Sequence, residues 1–86
     1  MINIVKKIYI ITGATGFLGN NIIRKLEKNV DSEIRTFVLN GESIKSLENL
    51  KCKIYYGDVT KEETLSSIFE NIDDKEVFVI HCAAVV

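Results

Sequence analysis

The stretch Thr12-Gly13-Ala14-Thr15-Gly16-Phe17-Leu18-Gly19 sets its glycines three residues apart. It lies directly between an apolar run, Lys7 to Thr12, and an amphipathic stretch that begins at residue 17. In that position each glycine has a physical task. Gly13 permits a tight turn out of a strand. Gly16 lets the backbone approach a pyrophosphate with no Cβ in the way. Gly19 lets a helix pack closely on the sheet. The N-terminus of that helix would offer unpaired N–H groups and a positive dipole end to the phosphates. The spacing is G-x-x-G-x-x-G and not G-x-G-x-x-G, so its weight comes from the strand before it and the helix after it. It points to dinucleotide binding over a purely structural turn. No Gly-Lys-Ser/Thr follows, which excludes a P-loop.

Other residues able to do chemistry have plainer readings. Asp58 follows Gly57, and the turn chemistry of Asp and Gly explains it without a ligand. His81 is the only histidine and ends an apolar run. With no positioned partner it is read as satisfying backbone, not as a catalytic base. One histidine and no C-x-x-C leave no basis for a zinc site. Cys52 and Cys82 give no disulfide framework. Cys82 reads as a small buried hydrophobe and Cys52 as a strand-edge residue, neither in the cationic setting that activates a thiol. Glu62 and Glu63 sit where a helix dipole favours acids.

Short apolar runs alternate with amphipathic stretches along the chain. Lys7 to Thr12, Ile34 to Leu39, Lys53 to Tyr56 and Glu76 to His81 read as strands, the first and last of a kind buried on both faces. Residues 17 to about 29 read as a helix with Leu18, Ile22, Leu26 and Val30 on its apolar face. Glu42 to Leu50 suggests a short helix or 3₁₀ segment. Thr60-Lys61-Glu62-Glu63 forms a capping box ahead of Leu65, Ile68, Phe69 and Ile72, which predicts a third helix. Strands joined by helical crossovers imply a parallel sheet with right-handed connections. The expectation is an α/β, three-layer Rossmann-type half with four parallel strands in order 3-2-1-4. Its fourth strand would leave an unpaired edge open to a second copy of the chain, giving a homo-oligomer.

Composition narrows the classes. The chain has 86 residues, enough for one domain at most. Eleven basic and twelve acidic side chains give −1. That argues against a nucleic-acid surface and against an acidic disordered tail. No apolar run approaches the roughly 20 residues of a membrane span, and no signal-peptide pattern opens the chain. These features and the unpaired thiols favour the cytoplasm.

The glycine-rich turn resembles the fingerprint of the extended short-chain dehydrogenases/reductases, which include nucleotide-sugar epimerases, dehydratases and dihydroflavonol-reductase-like enzymes. Two later segments agree in order and spacing. Gly57-Asp58-Val59-Thr60 resembles the family's Gly-Asp-Val/Leu after the third strand. Val79-Ile80-His81-Cys82-Ala83-Ala84 resembles its His-x-Ala-Ala at the end of the fourth. The resemblance implies that the turn from Gly13 to Gly19, Thr15 and Gly16 included, binds pyrophosphate, with the backbone N–H groups of Phe17 and Leu18 aimed at it. Asp58 would accept a hydrogen bond from the adenine amino group. Val59 would line the adenine pocket. Ala83 and Ala84 would border the path to the nicotinamide ribose.

Two departures matter. An acid near the end of the second strand favours NAD, and a basic residue there favours NADP. Spacing from Gly19 puts that position at Leu39, with Asn40 next, and neither is charged. Arg35 sits at the wrong end of the strand, whereas Lys45 could swing toward a 2′-phosphate. The reductase-like resemblance leans to NADP. The family also uses a Tyr-x-x-x-Lys pair. Here Gly13, Val59 and Thr60 stand four residues beyond Tyr9, Tyr55 and Tyr56, so the pair is absent. The expectation is the N-terminal part of a longer NAD(P)-dependent oxidoreductase, epimerase or dehydratase, inactive alone. In the parent, the small-molecule substrate would bear a hydroxyl or carbonyl. A non-catalytic NAD(P) sensor and a self-associating fragment are the alternatives.

Overall fold

A computed structural model describes residues 5–82. The expected roles of Ala83 and Ala84 lie outside that range. The described chain runs β1 (Lys7–Thr12), α1 (Phe17–Leu26), β2 (Ser32–Val38), β3 (Lys53–Tyr56) and β4 (Glu76–His81). Single 3₁₀ turns occupy Lys45–Leu47, Glu62–Thr64 and Ser67–Phe69. The strands form one sheet in order β3-β2-β1-β4, with every pairing parallel. This is the expected order. In register, Thr12 stands opposite Phe37 on one side and His81 on the other, while Val38 stands opposite Tyr56. All four strands therefore end at one edge of the sheet, and the segments that follow β1, β2 and β3 meet there.

The alternation of each strand divides the core in two. On one face Ile11, Ile34 and Val38 pack with Ala14, Ile23 of α1 and Leu47. On the other, Ile8, Ile10 and Phe37 pack with Ile68 from the segment between β3 and β4. Ile8, Ile11 and Ile23 are fully buried. Each such side chain contributes about 1.5–3 kcal/mol relative to exposure. Tyr9 and Phe78, opposite each other in register, stack with centroids 5.2 Å apart. Among the described residues β4 pairs only with β1, and Phe78 and Val79 are 40% and 58% exposed. The strand expected to be buried on both faces is thus an open edge.

α1 is shorter than its pattern predicts. It ends at Leu26, Val30 is exposed, and the buried stripe runs through Gly19 and Ile23 instead of Leu18. Leu18 falls in the first turn and is 63% exposed. The third helix does not form. Thr60 turns its hydroxyl back to Asp58, and Lys61 starts the first 3₁₀ turn with no side-chain cap. A helix of this length depends on packing an apolar face, and here only Ile68 is fully buried while Phe69 is exposed. Arg35 also draws the Ile68 and Glu70 carbonyls, which a continuous helix would use itself.

Candidate nucleotide site

The glycine turn has the geometry its spacing implies. Gly13 has φ +68, a left-handed conformation that a side chain would oppose. Its carbonyl accepts from the Gly16 N–H at 3.1 Å, closing the turn. A Cβ on Gly19 would meet that carbonyl oxygen at 2.6 Å and the Ala14 Cα at 2.8 Å, so α1 rests directly on the turn. Gly16 differs. A Cβ there meets the protein only at 3.4 Å, an ordinary contact. The fold does not require glycine at 16, whereas a group lying against the backbone would.

Gly16 is the N-cap of α1, and no side chain caps it. The first helical hydrogen bond runs from the Asn20 N–H to the Gly16 carbonyl. The N–H groups of Phe17, Leu18 and Gly19 thus have no acceptor among the described residues. No acid stands in the first turn to compete for the dipole. Phe17 and Leu18 themselves are 87% and 63% exposed.

Beside this helix start lies a cleft of about 210 Å³, walled by Thr12, Gly13, Phe37, Leu39, Glu42, Gly57, Asp58, Val59 and His81. It brings together Gly13, Leu39, Asp58 and Val59 from the sequence reading. Asn40 lies on an exposed turn outside its lining. Asp58 does form a turn. Its Oδ1 accepts from the Thr60 N–H at 2.9 Å and from the Thr60 hydroxyl at 2.7 Å. Those two bonds hold its carboxyl below the ordinary aspartate value against the opposing effect of desolvation, and the Lys61 charge adds to them. Its Oδ2 has no partner among the described residues. The turn reading and ligand contact are therefore compatible. Gly57 is packed, since a Cβ would come within 2.6 Å of the Phe37 ring and 2.9 Å of Thr64.

His81 is exposed, and its Nδ1 is hydrogen-bonded to the Thr12 hydroxyl across the β1–β4 pair. Its partner is a side chain and not the backbone, contrary to expectation. Arg35 is absent from the cleft lining, buried midway along β2 and not at its far end. The Cys52 thiol is pushed up by burial and by the charge of Glu27, against a hydrogen bond with Thr36.

Sequence spacing passes over Glu42. The chain leaves β2 after Val38 and reverses through Gly41, whose φ is +89. Glu42 returns to the cleft wall. Its Oε1 accepts from the Leu39 N–H at 3.2 Å, and its Oε2 accepts from the Thr15 hydroxyl. The same loop is fastened to the glycine turn again: Asn20 Nδ2 donates to the Ser46 carbonyl at 2.7 Å, and the Ser46 hydroxyl to the Thr15 carbonyl at 3.3 Å. Gly41 was the available signal, because a glycine turn after a strand makes residue counting along the chain a poor guide to position.

The sequence pattern of the 3-beta hydroxysteroid dehydrogenase/isomerase family matches residues 10–86. The chain belongs to that family. This 3-beta hydroxysteroid dehydrogenase/isomerase group lies within the extended short-chain dehydrogenases/reductases, so the resemblance carried by the three motifs holds, and NAD(P) is the cofactor class that goes with it. The crystal structure of gox2253 superposes with a TM-score of 0.75, at 25% identity over 92% of this chain and 22% of that one. A thiolation-reductase di-domain from an archaeal non-ribosomal peptide synthetase shares the fold, with a TM-score of 0.67 at 24% identity over 98% of this chain and 21% of that one. The chain thus spans about a fifth of the length of these two structures. No curated protein matches it. Among the described residues no helix is long and apolar enough to cross a membrane.

Proposed function

We propose that this chain holds the adenosine and pyrophosphate part of NAD(P), as the N-terminal part of a longer oxidoreductase, epimerase or dehydratase that acts on a hydroxyl- or carbonyl-bearing small molecule. The observation that carries this reading is the contrast between Gly16 and Gly19. Glycine at 19 is demanded by packing. Glycine at 16 leaves open space in front of amides that have no partner.

A pyrophosphate would fit in that space, bound by the Phe17 and Leu18 amides and the helix dipole. Adenine would then lie toward Asp58 and Val59, with Asp58 Oδ2 accepting from its amino group. The nicotinamide, when bound, supplies hydride chemistry; this chain's residues bind and orient. Both cysteines are free, which accords with a cytoplasmic setting.

Calorimetry with ADP, NAD and NADP on the folded chain, repeated with Gly16→Val, tests the reading. Binding by the native chain that weakens at least about tenfold in the variant, with circular dichroism unchanged, supports it. Absence of binding by the folded native chain at millimolar nucleotide refutes it.

The exposed β4 edge favours a second property, pairing with another copy of the chain. Its N–H and C=O groups, unpaired among the described residues and flanked by Phe78 and Val79, form a template for strand addition. Light scattering at high concentration should show a dimer or larger species; a clean monomer would count against it.

A further inference from the structure

We propose that His81 is a binding residue of this cleft whose charge sets its affinity, so that the chain holds a pyrophosphate more tightly when the imidazole is protonated. The inference rests on the dinucleotide reading above. Imidazole is the side chain that ordinarily changes charge between about pH 5 and pH 8, and His81 is the only histidine. It stands on a wall shared by two cavities. One is the nucleotide cleft. The other is an apolar groove of about 210 Å³ reaching past Leu65, Phe69 and Val79.

Few charges face the ring. The cleft lining brings the Glu42 and Asp58 carboxylates, and the groove lining brings none. Neither lining holds a Lys or Arg among the described residues. A pyrophosphate with both phosphates ionised would therefore meet two carboxylates and the amides of a helix start. Protonated His81 adds the positive charge that the lining lacks. Inside a cleft such an attraction exceeds its value in bulk water.

The contact with Thr12 adds a second effect. The two residues stand opposite each other in register at the ends of β1 and β4, so the ring is held at the cleft wall. A neutral imidazole has one donor and one acceptor nitrogen, and its Nδ1 can accept the Thr12 hydroxyl hydrogen. In the imidazolium both nitrogens donate. Nδ1 must then donate to the Thr12 oxygen, and the hydroxyl hydrogen turns away from the ring. Thr12 lines the cleft beside Gly13. Protonation thus frees a donor for the ligand as well as supplying charge.

The test uses the whole chain and ADP-ribose. Its pyrophosphate is esterified at both ends and does not titrate near neutrality, whereas the terminal phosphate of ADP, with a second pKa of about 6, would. Calorimetry from about pH 8 down to about pH 5.5 stays above the ordinary carboxylate range. Affinity should rise at least about threefold over that interval. In His81→Asn it should stay level, with circular dichroism confirming the fold. A second measurement needs no variant. The ring C–H proton of the single histidine reports its protonation by NMR, and ADP-ribose should move its titration midpoint upward, as linkage between the two equilibria requires. If native affinity is flat or falls on acidification, if the midpoint stays or moves down, or if folded His81→Asn keeps the rise, the proposal is overturned and the dinucleotide reading stands. If the folded native chain binds no ADP-ribose at any pH in the range, the dinucleotide reading fails and the proposal with it.

Discussion

At the end of the sheet where β2 and β3 begin, Glu33, Arg35 and Lys53 line a cavity of about 430 Å³ together with Tyr55, Glu70 and Lys75. At the other end, the cleft beside the glycine turn is half that volume, about 210 Å³, and holds fewer charges. By size and charge the first would be taken for the site. Its Glu33–Arg35–Lys53 cluster, however, is already paired within itself. Arg35 donates to Glu33 and to the Ile68 and Glu70 carbonyls, and its guanidinium lies 5.7 Å from the Tyr55 ring centroid. Lys53 donates to the other Glu33 oxygen at 3.2 Å. At the second end the amides of Phe17 and Leu18 and the Asp58 Oδ2 are unpartnered among the described residues. Backbone amides left without an acceptor, and not volume or charge count, separate a binding edge from a structural clasp.

The sharpest way to break that contrast is Arg35→Met. It leaves Glu33 and two carbonyls facing a side chain that cannot donate. Loss of a buried partner of this kind costs about 3–5 kcal/mol. Urea unfolding should show a collapse of stability, and in so thin a core outright unfolding is the expected extreme. A variant that stayed folded but lost ADP affinity would invert the assignment of the two ends.

Gly19→Ala comes next. Its Cβ would strike the Gly13 carbonyl and the Ala14 Cα. Overpacking of this kind costs about 1–3 kcal/mol, and moving α1 off the turn should lower ADP affinity as well. Urea titration read beside calorimetry checks both effects.

Acid should act first on the clasp. Burial alone would raise the Glu33 carboxyl, but the hydrogen bonds and charges of Arg35 and Lys53 outweigh it and set it below its usual value of 4.5. A carboxyl depressed in the folded state stabilises fully above its unfolded pKa, and that contribution is lost as pH falls through the folded value. Stability should therefore decline below about pH 4.5, and Glu33→Gln should flatten the decline in urea midpoints measured across that range.

The smallest effect on stability is expected for Gly16→Ser. Serine is a good N-cap, and its hydroxyl should stabilise α1 by a few tenths of a kcal/mol. Its Cβ nonetheless occupies the space kept for a pyrophosphate. A variant with an equal or higher urea midpoint and weaker ADP binding would separate binding from folding most cleanly.

How much of this was legible in the sequence differs between strands and connections. The strands, their order and the glycine turn were legible because apolar runs and glycines act locally. The loops were less so. Thr60 to Ile72 carries a helix pattern and a capping box, but Arg35, distant in sequence, takes its carbonyls, and the open β4 edge gives it little to pack on. Val30 continues the helical period yet stands past the end of α1. Glu42 was missed for a related reason: the Gly41 turn and the Thr15 hydroxyl set its place, and neither is visible to spacing. Arg35 was correctly kept from the cleft, but its clasp role requires knowing that Ile68 and Glu70 lie above it.

The central position of β1 bears on how the chain folds as it is made. β1 is synthesised first, yet one of its edges is closed only by β4, with Lys7 opposite Glu76 and Thr12 opposite His81. At typical synthesis rates the wait for that partner lasts roughly 3–14 s. Throughout it Ile8, Ile10 and Ile11 present an apolar strand with one side unpaired, the form of chain that strand-capturing chaperones bind and that aggregates when they do not.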